Sequence, residues 1–237
     1  MDLKIKEWDK IHIKEFEVYL ESIKGSEKEI EFERSVVNTQ LPCLGIKAPV
    51  IEKIVKEMLK GNYISYLDLF LLNNHTEVVI FAKLLSKVED FDLFASYLYD
   101  YAHKIDNWAG CDTIQFRINE NNQEKLFNLA VEYTKDTNIF ARRIGFRIFF
   151  SYIDNEDYLD KIFDIVAQSK AEENYYVNMS ISWLMCESFI KQREKTLKFI
   201  KKGKLNKFVI NKTISKCRDS FRVSSQDKEM LLQFRKK

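Results

Sequence analysis

Residues 48–61 have the sequence APVIEKIVKEMLKG, and this stretch indicates the fold class. Its apolar side chains recur at positions i, i+3, i+4, i+7 and i+8, the spacing that lines one face of an α-helix. These side chains are Ile51, Ile54, Val55, Met58 and Leu59. Pro49 falls where a first helical turn tolerates a missing N–H, and Gly61 falls where a C-capping glycine is typical. The stretch therefore predicts an amphipathic helix between Pro49 and Gly61.

Helical spacing of this kind continues in both directions, and no strand-like run interrupts it. The other predicted helices cover residues 13–24, 27–38, 63–73, 77–88, 91–103, 106–118, 122–135, 139–152, 155–169, 174–190, 192–201, 205–217 and 225–235. The chain of 237 residues contains only 6 Gly and 2 Pro, too few for the many tight turns of an all-β protein. The sequence therefore predicts an all-α protein.

Short polar connections, such as Asn73-Asn74-His75-Thr76 and Asp136-Thr137-Asn138, supply N-capping and turn residues where consecutive helices reverse direction. Aromatic and aliphatic core positions recur weakly after about 35–40 residues, an interval typical of HEAT-like helix pairs. Two such sets are Phe140-Ile144-Ile148 and Val177-Ile181-Leu184. We therefore expect a HEAT-like helical-repeat solenoid, an α–α superhelix with a concave face, that forms one domain over residues 1–237.

The composition is typical of a well-packed globular protein, with 46% hydrophobic and 31% charged residues, and it argues against disorder. The four cysteines lie far apart without a CxxC pair, which indicates reduced thiols. The first residues, MDLKIKEWDK, lack the apolar core of a signal peptide, and no later stretch reaches the ~18 uncharged residues of a membrane span. We expect a cytoplasmic protein that does not contact membranes.

The formal net charge of +2 conceals a strong asymmetry along the chain. Residues 191–237 contain 16 Lys/Arg against 4 Asp/Glu, a net charge of +12, and residues 1–190 carry the opposite excess of −10. A lysine-rich run is often only a solvated helix face, but so large an excess is the footprint expected for phosphate contacts. The predicted DNA-contacting lysines of this segment are Lys201, Lys202, Lys204, Lys207, Lys212 and Lys216.

Four candidate site residues recur at about the length of one repeat. Trp108 and Asp112 stand one helical turn apart, Arg143 follows 35 residues after Trp108, and Trp183 follows 40 residues later. In a stack of repeats such positions return to the same face, so we expect all four to line the concave groove. Arginine forms bidentate hydrogen bonds with phosphate, whereas tryptophan and aspartate stabilise a cation. The set favours a nucleic acid with a reacting sugar.

Four segments together resemble bacterial DNA alkylation repair proteins of the AlkD type. They are LPCLGIKAPVIEKI (41–54), IDNWAGCDT (105–113), NIFARRIGFRIFF (138–150) and YYVNMSISWLMCESF (175–189), and their order and spacing match over most of the chain. Each segment alone is only a weak indication of the family. A Trp-x3-Asp, a helix-borne Arg and an Ile-x-Trp helix in register make the combination specific.

The resemblance implies a solenoid whose concave side cradles duplex DNA and a monofunctional glycosylase acting on positively charged N3- and N7-alkylpurines. By position, it implies that Trp108, Asp112 and Trp183 are catalytic and surround the sugar of the damaged nucleotide. It also implies that Arg143 holds the DNA backbone, with Arg142 the neighbouring alternative. The chain departs from the family pattern at Asn107, where active members tend to have a second aromatic residue, which is typical of a divergent branch.

The chemistry can also be argued without the resemblance. Alkylation at N3 or N7 makes the purine a cationic leaving group that needs no protonation, so positive charge develops on the deoxyribose instead. A carboxylate such as Asp112 can stabilise that oxocarbenium-like transition state and position a water molecule. The faces of Trp108 and Trp183 would add on the order of 0.5–2 kcal/mol each.

No Gly-rich phosphate loop, GxSxG elbow, HExxH or EF-hand pattern occurs, and His12, His75 and His103 lack metal-ligand spacing. We therefore expect no cofactor and no metal, with double-stranded DNA as the partner of a monomeric protein.

Plainer interpretations exist for every member of the set. A tryptophan in an amphipathic helix is commonly a core residue, and Asp112 could cap a turn or pair with Arg142, Arg143 or Arg147. Arg147 is itself a third candidate for the backbone contact. Two alternative functions also stay open: a non-catalytic binder of damaged or branched DNA, and a helical-repeat scaffold that binds another protein.

Overall fold

The computed structural model describes residues 1–237 and contains fourteen α-helices and no strand, which confirms the all-α prediction. The chain forms two compact units, Met1–Phe116 and Arg117–Lys237. None of the helices combines the length and apolar character that a membrane crossing requires. The expectation of a single domain stays a prediction.

The first unit contains seven helices. They are α1 (Lys10–Ser22), α2 (Glu27–Val37), α3 (Ala48–Met58), α4 (Tyr63–Asp68), α5 (His75–Leu85), α6 (Phe91–Lys104) and α7 (Trp108–Thr113). Helices α3, α5 and α7 pack side by side in that order, and α4 and α6 contact α5. Alternate helices therefore form one layer, as expected for helix-pair repeats.

The second unit contains the other seven helices and two 3₁₀ turns. They are α8 (Gln123–Tyr133), α9 (Ile139–Ile148, continued by the 3₁₀ turn Phe149–Tyr152), α10 (Glu156–Gln168, followed by the 3₁₀ turn Ser169–Ala171), α11 (Tyr175–Lys191), α12 (Arg193–Lys201), α13 (Lys207–Asp219) and α14 (Ser225–Leu232). Helices α9, α11 and α13 form one layer. On α10 and α12 the rings of Phe163 and Phe199 stack with their centroids 4.5 Å apart.

Asparagine is the N-cap of every second helix from α5 to α13. The capping residues are Asn74 (α5), Asn107 (α7), Asn138 (α9), Asn174 (α11) and Asn206 (α13), and each side chain accepts a hydrogen bond from a backbone N–H of the first helical turn. Asparagine is among the best N-caps because its side chain satisfies an otherwise unpaired N–H. The caps recur every 31 to 36 residues and mark one repeat each.

Two predicted helices extend well beyond the end that the structure shows. The helix predicted over 63–73 ends at Asp68, because Phe70 adopts a left-handed conformation with φ of 51°. The helix predicted over 106–118 spans only Trp108–Thr113, since Asn107 caps its start and the backbone is extended at Ile114.

The glycine predicted as a C-cap has another role. Helix α3 ends at Met58 with Leu59 as its C-cap in a right-handed conformation, so Gly61 does not cap it. A Cβ atom on Gly61 would lie 2.5 Å from the carbonyl oxygen of Ile5. Glycine is needed at this position because the N-terminal backbone approaches it closely.

Candidate functional site

Helix α7 carries the first two candidate residues, Trp108 and Asp112, and hydrogen bonds of Asn107 fix its N-terminus. The Asn107 side chain is fully buried, its Oδ1 accepts from the Gly110 N–H at 3.1 Å, and its Nδ2 donates to Asp106 Oδ1 at 3.0 Å. These bonds fix the helix at the residue where the family resemblance would place an aromatic ring. The departure at Asn107 is therefore explained by N-capping.

Asp106 ties the start of α7 to the loop after α2. It accepts from the Thr39 hydroxyl and from the Gln40 N–H, both at 2.6 Å. Burial raises the pKa of Asp106, but the hydrogen bonds from Thr39, Asn107 and Gln40 outweigh it and leave the pKa below its ordinary value. Asp106 is therefore an ionised anchor for α7.

Trp108 is half-buried, and its indole N–H donates to the carbonyl oxygen of Val36 at 3.2 Å, in the last turn of α2. Asp112 is also half-buried, one turn further along α7. Neither side chain is sealed in the core, so both keep surface through which a ligand can be contacted.

Gly110 allows α7 to lie against α6. The hydroxyl of Tyr101 donates to the Gly110 carbonyl at 3.1 Å, and a Cβ atom on Gly110 would lie 3.0 Å from that hydroxyl oxygen. Tyr101 is fully buried, and burial holds its pKa well above the ordinary value. Close packing against Tyr101 therefore explains why a glycine, a poor helix former, occupies position 110.

Of the three candidate arginines on α9, Arg142 is the one whose guanidinium is bound to residues of the interhelical loops. Its guanidinium pairs with Glu172, with Nε 2.8 Å from Oε2, and donates to the carbonyls of Asp136 and Thr137 at 2.9 and 3.0 Å. The Glu172 carbonyl in turn accepts from Asn178 Nδ2 at 2.9 Å. Arg142 thus joins the loop before α9 to the loop before α11, which is a structural role.

Arg143, the first choice for the backbone contact, is 5% exposed. Its Nη1 donates to the carbonyl of Tyr176 at 2.6 Å, in the first turn of α11. The guanidinium therefore helps to dock α9 on α11. Little of its surface is left for a phosphate in this conformation.

Arg147 is the arginine that meets a predicted catalytic residue. Its guanidinium carbon lies 4.5 Å from the centroid of the Trp183 ring and 4.3 Å from that of Phe150. The two rings meet edge to face at 4.9 Å. Arg147 therefore makes cation–π contacts with both rings, a geometry that arginine favours.

Lys216 on α13 and Glu187 on α11 add charged contacts to Trp183, and Arg222, which follows α13, pairs with Glu187. The Lys216 ammonium lies 5.9 Å from the indole centroid. Glu187 accepts from the indole N–H at 3.4 Å and from Arg222 Nη1 at 2.9 Å. The pairing with Glu187 raises the pKa of Arg222 above its ordinary value. Together with Arg147 and Phe150, these residues form what we call the Trp183 cluster.

The predicted DNA-contacting lysines divide between two helices. Lys201, Lys202 and Lys204 are exposed at the end of α12 and in the turn that follows it, whereas Lys207 and Lys212 are exposed on α13 and Lys216 is half-buried there. None of them makes the kind of ion pair that holds Lys191 to Asp154 or Arg193 to Asp227. Their charges are therefore available to a polyanion.

Within each unit, the structure brings some of the candidates together. Trp108 and Asp112 share one short helix of the first unit, and Arg147, Trp183 and Lys216 form one cluster in the second. Arg142 and Arg143 point into internal contacts instead. Phe150 and Glu187, which contact Trp183 directly, were not predicted. No three His, Cys, Asp or Glu side chains meet in a group that could hold a metal ion.

The fold and these contacts define an all-helical repeat protein with a half-buried Trp–Asp pair on α7 and a cationic, aromatic cluster on α9, α11 and α13. A model of the DNA alkylation repair enzyme family matches residues 19–217. The match covers most of the chain, and the protein belongs to this family. No curated protein matches the chain, and no solved structure matches it either.

Proposed function

We propose that the protein is a monofunctional DNA glycosylase that hydrolyses the N-glycosidic bond of cationic N3- or N7-alkylated purines in duplex DNA. Membership of the DNA alkylation repair enzyme family supports a role on alkylated DNA. The observation that carries the chemistry is the pair on α7, where half-buried Trp108 and Asp112 stand one turn apart on a helix anchored by Asn107.

Asp112 is the residue that we assign to the reaction. The alkylated purine leaves with its electron pair as a neutral base, so no proton donor is required for departure. A carboxylate beside the sugar stabilises the developing oxocarbenium charge and orients a water molecule for attack. The face of Trp108 lowers the energy of the same cation, by about 0.5–2 kcal/mol.

The proposal is tested by single-turnover base release from duplex DNA treated with a methylating agent, with protein in excess. We expect wild type to release 7-methylguanine or 3-methyladenine and Asp112→Asn to be slower by about 10²–10³-fold, the cost of removing one electrostatic stabiliser. Asp100→Asn is the matched control, because Asp100 is an exposed carboxylate on α6. Wild type that releases neither base would exclude the glycosylase.

A second candidate function is binding to damaged or branched duplexes without base release. The observation that favours it is Arg147, whose charge already lies 4.5 Å from the Trp183 ring. Two unit charges about 5 Å apart repel by about 3 kcal/mol at an effective dielectric constant of about 20. A cationic sugar beside this ring would meet that repulsion, whereas a phosphate would not. Steep salt dependence of binding without any base release would support this candidate.

A further inference from the structure

Helices α11 and α13 pack side by side through a row of small polar residues. Asn206, the N-cap of α13, donates from Nδ2 to Asn178 Oδ1 at 3.0 Å, near the start of α11. Further along both helices, the Thr213 hydroxyl donates to the Ser182 carbonyl at 3.4 Å, and both of these residues are fully buried. Because these contacts advance along the two helices in the same direction, α11 and α13 run parallel.

The next turn of this row brings two cysteines together. Cys186 lies four residues after Ser182 on α11. Cys217 lies four residues after Thr213 on α13. Residues four apart occupy the same face of a helix, so the two cysteines face each other across the same contact. Both are free thiols, and they share a hydrogen bond in which Cys217 is the donor. Two thiols in contact are the precursor of a disulfide.

Charged residues beside the pair favour a thiolate on Cys186. Arg222 pairs with Glu187, the residue after Cys186, at 2.9 Å. The hydrogen bond from Cys217 lowers the pKa of Cys186, although burial opposes it. The positive charges of Lys216 and Arg222 lower this pKa further, and the negative charge of Glu187 raises it. The same hydrogen bond, together with burial, raises the pKa of Cys217. Cys186 is therefore the nucleophile of the pair, and Cys217 is the second thiol that can react with it.

The other two cysteines lie in the first unit, and their thiols face backbone carbonyls. Cys43 Sγ lies 3.9 Å from the Leu41 carbonyl oxygen, and Cys111 Sγ lies 3.8 Å from that of Asn107. Burial raises the pKa of Cys43, which disfavours its thiolate. These two cysteines serve as internal references for the reactivity of the pair.

We propose that Cys186 and Cys217 form an oxidation site at which hydrogen peroxide creates a disulfide between α11 and α13. The Cys186 thiolate attacks one peroxide oxygen, so an S–O bond forms, the O–O bond breaks and hydroxide leaves with the proton that Cys186 released. The Cys217 sulfur then attacks the sulfenic acid, so the S–S bond forms, the S–O bond breaks and the Cys217 proton leaves in a second water molecule. Two thiols and one peroxide give one disulfide and two water molecules.

Burial of the pair selects a small oxidant. Cys186 is 3% exposed and Cys217 has no exposed surface. A peroxide is about the size of two water molecules and needs only a local opening between the helices. Glutathione disulfide must bring a much larger group into line with the attacking sulfur, so its reaction requires far more of the surface of Cys186 to open.

The test is to count and locate the thiols that remain after the folded protein, without DNA, is treated with a small molar excess of hydrogen peroxide. We expect the four thiols of wild type to fall to two, because one pair is consumed, and dithiothreitol to restore all four. Peptide mapping under non-reducing conditions should find the bond between Cys186 and Cys217. The same excess of glutathione disulfide should leave four thiols.

Three results would overturn the inference. They are four thiols remaining after peroxide, a disulfide that includes Cys43 or Cys111, and glutathione attached to Cys186. The assay contains no DNA, so its result is independent of the proposed glycosylase. Absence of base release by wild type would contradict the glycosylase and leave the oxidation site intact.

Serine variants test the order of the two steps. In Cys217→Ser the hydroxyl can still donate to Cys186, so we expect a sulfenic acid at Cys186, trapped by dimedone, and no disulfide. In Cys186→Ser we expect Cys217 to resist peroxide, and oxidation at the wild-type rate would overturn the order. The matched control combines Cys43→Ser with Cys111→Ser and should form the disulfide as wild type does. Melting temperatures show which variants fold, and the mapping of wild type decides the inference without them.

Discussion

Replacing Asn107 with alanine tests whether its cap positions the candidate catalytic helix. The change removes the acceptor for the Gly110 N–H at 3.1 Å and the donor to Asp106 at 3.0 Å, both at a fully buried side chain. Loss of an N-cap costs about 1 kcal/mol, and loss of a buried hydrogen bond costs about 0.5–1.5 kcal/mol more. We expect the free energy of unfolding to fall by about 2 kcal/mol.

Urea unfolding followed by circular dichroism measures this loss, and base release under single-turnover conditions measures its effect on Trp108 and Asp112. Asn107→Ser is the matched control, because serine keeps the cap acceptor and loses only the bond to Asp106, so it should recover about half of the stability. Base release should follow the same order, with alanine slowest. A loss below about 0.5 kcal/mol for alanine, or equal stability of the two variants, would refute the role assigned to the cap.

Two other changes test the packing and the pH dependence. Gly145→Ala should lower the free energy of unfolding by about 1–3 kcal/mol in the same urea assay, because its Cβ would lie 2.8 Å from the Ala130 carbonyl oxygen. Gly203→Ala is the control: its Cβ would meet no atom within 4 Å, so it should cost less even though Gly203 has a positive φ. Glu29 has its pKa lowered to about 2 by hydrogen bonds from the Ser26 N–H and Lys47, so its contribution to stability is present above pH ~4.5 and is lost as the pH falls toward 2. The difference in melting temperature between wild type and Glu29→Gln should shrink over that range, and a constant difference would contradict the assignment.

The helices could be predicted from the sequence because apolar periodicity survives wherever a helix buries one face. The segment 48–61 illustrates this, since Ile51, Ile54 and Met58 are all buried. Helix ends depend on single backbone conformations, which periodicity does not report. Phe70, with its left-handed φ of 51°, is an apolar residue that gives no sequence signal for the end of α4.

The site could be predicted only in part, because the spacing of the candidate residues from Trp108 does not show which positions are equivalent in consecutive repeats. Equivalent positions lie at equal distances from the start of each helix. Counted from the capping asparagines Asn138 and Asn174, Arg147 and Trp183 both occupy the ninth position of their repeats, and they are in contact. Arg143 occupies the fifth position and points elsewhere. The spacing of the capping asparagines is a feature of the sequence itself, and it places Arg147 and Trp183 at equivalent positions of consecutive repeats.

The distribution of charge over the two units indicates how binding and chemistry are divided. The unit Met1–Phe116 contains 14 Lys/Arg and 20 Asp/Glu, a net charge of −6, whereas Arg117–Lys237 contains 24 and 16, a net charge of +8. Under the proposed function, attraction to the phosphate backbone comes mainly from the second unit, which carries the Trp183 cluster. The acidic first unit gains nothing from general attraction to DNA, which supports the proposal that its half-buried residues Trp108 and Asp112 contact a cation.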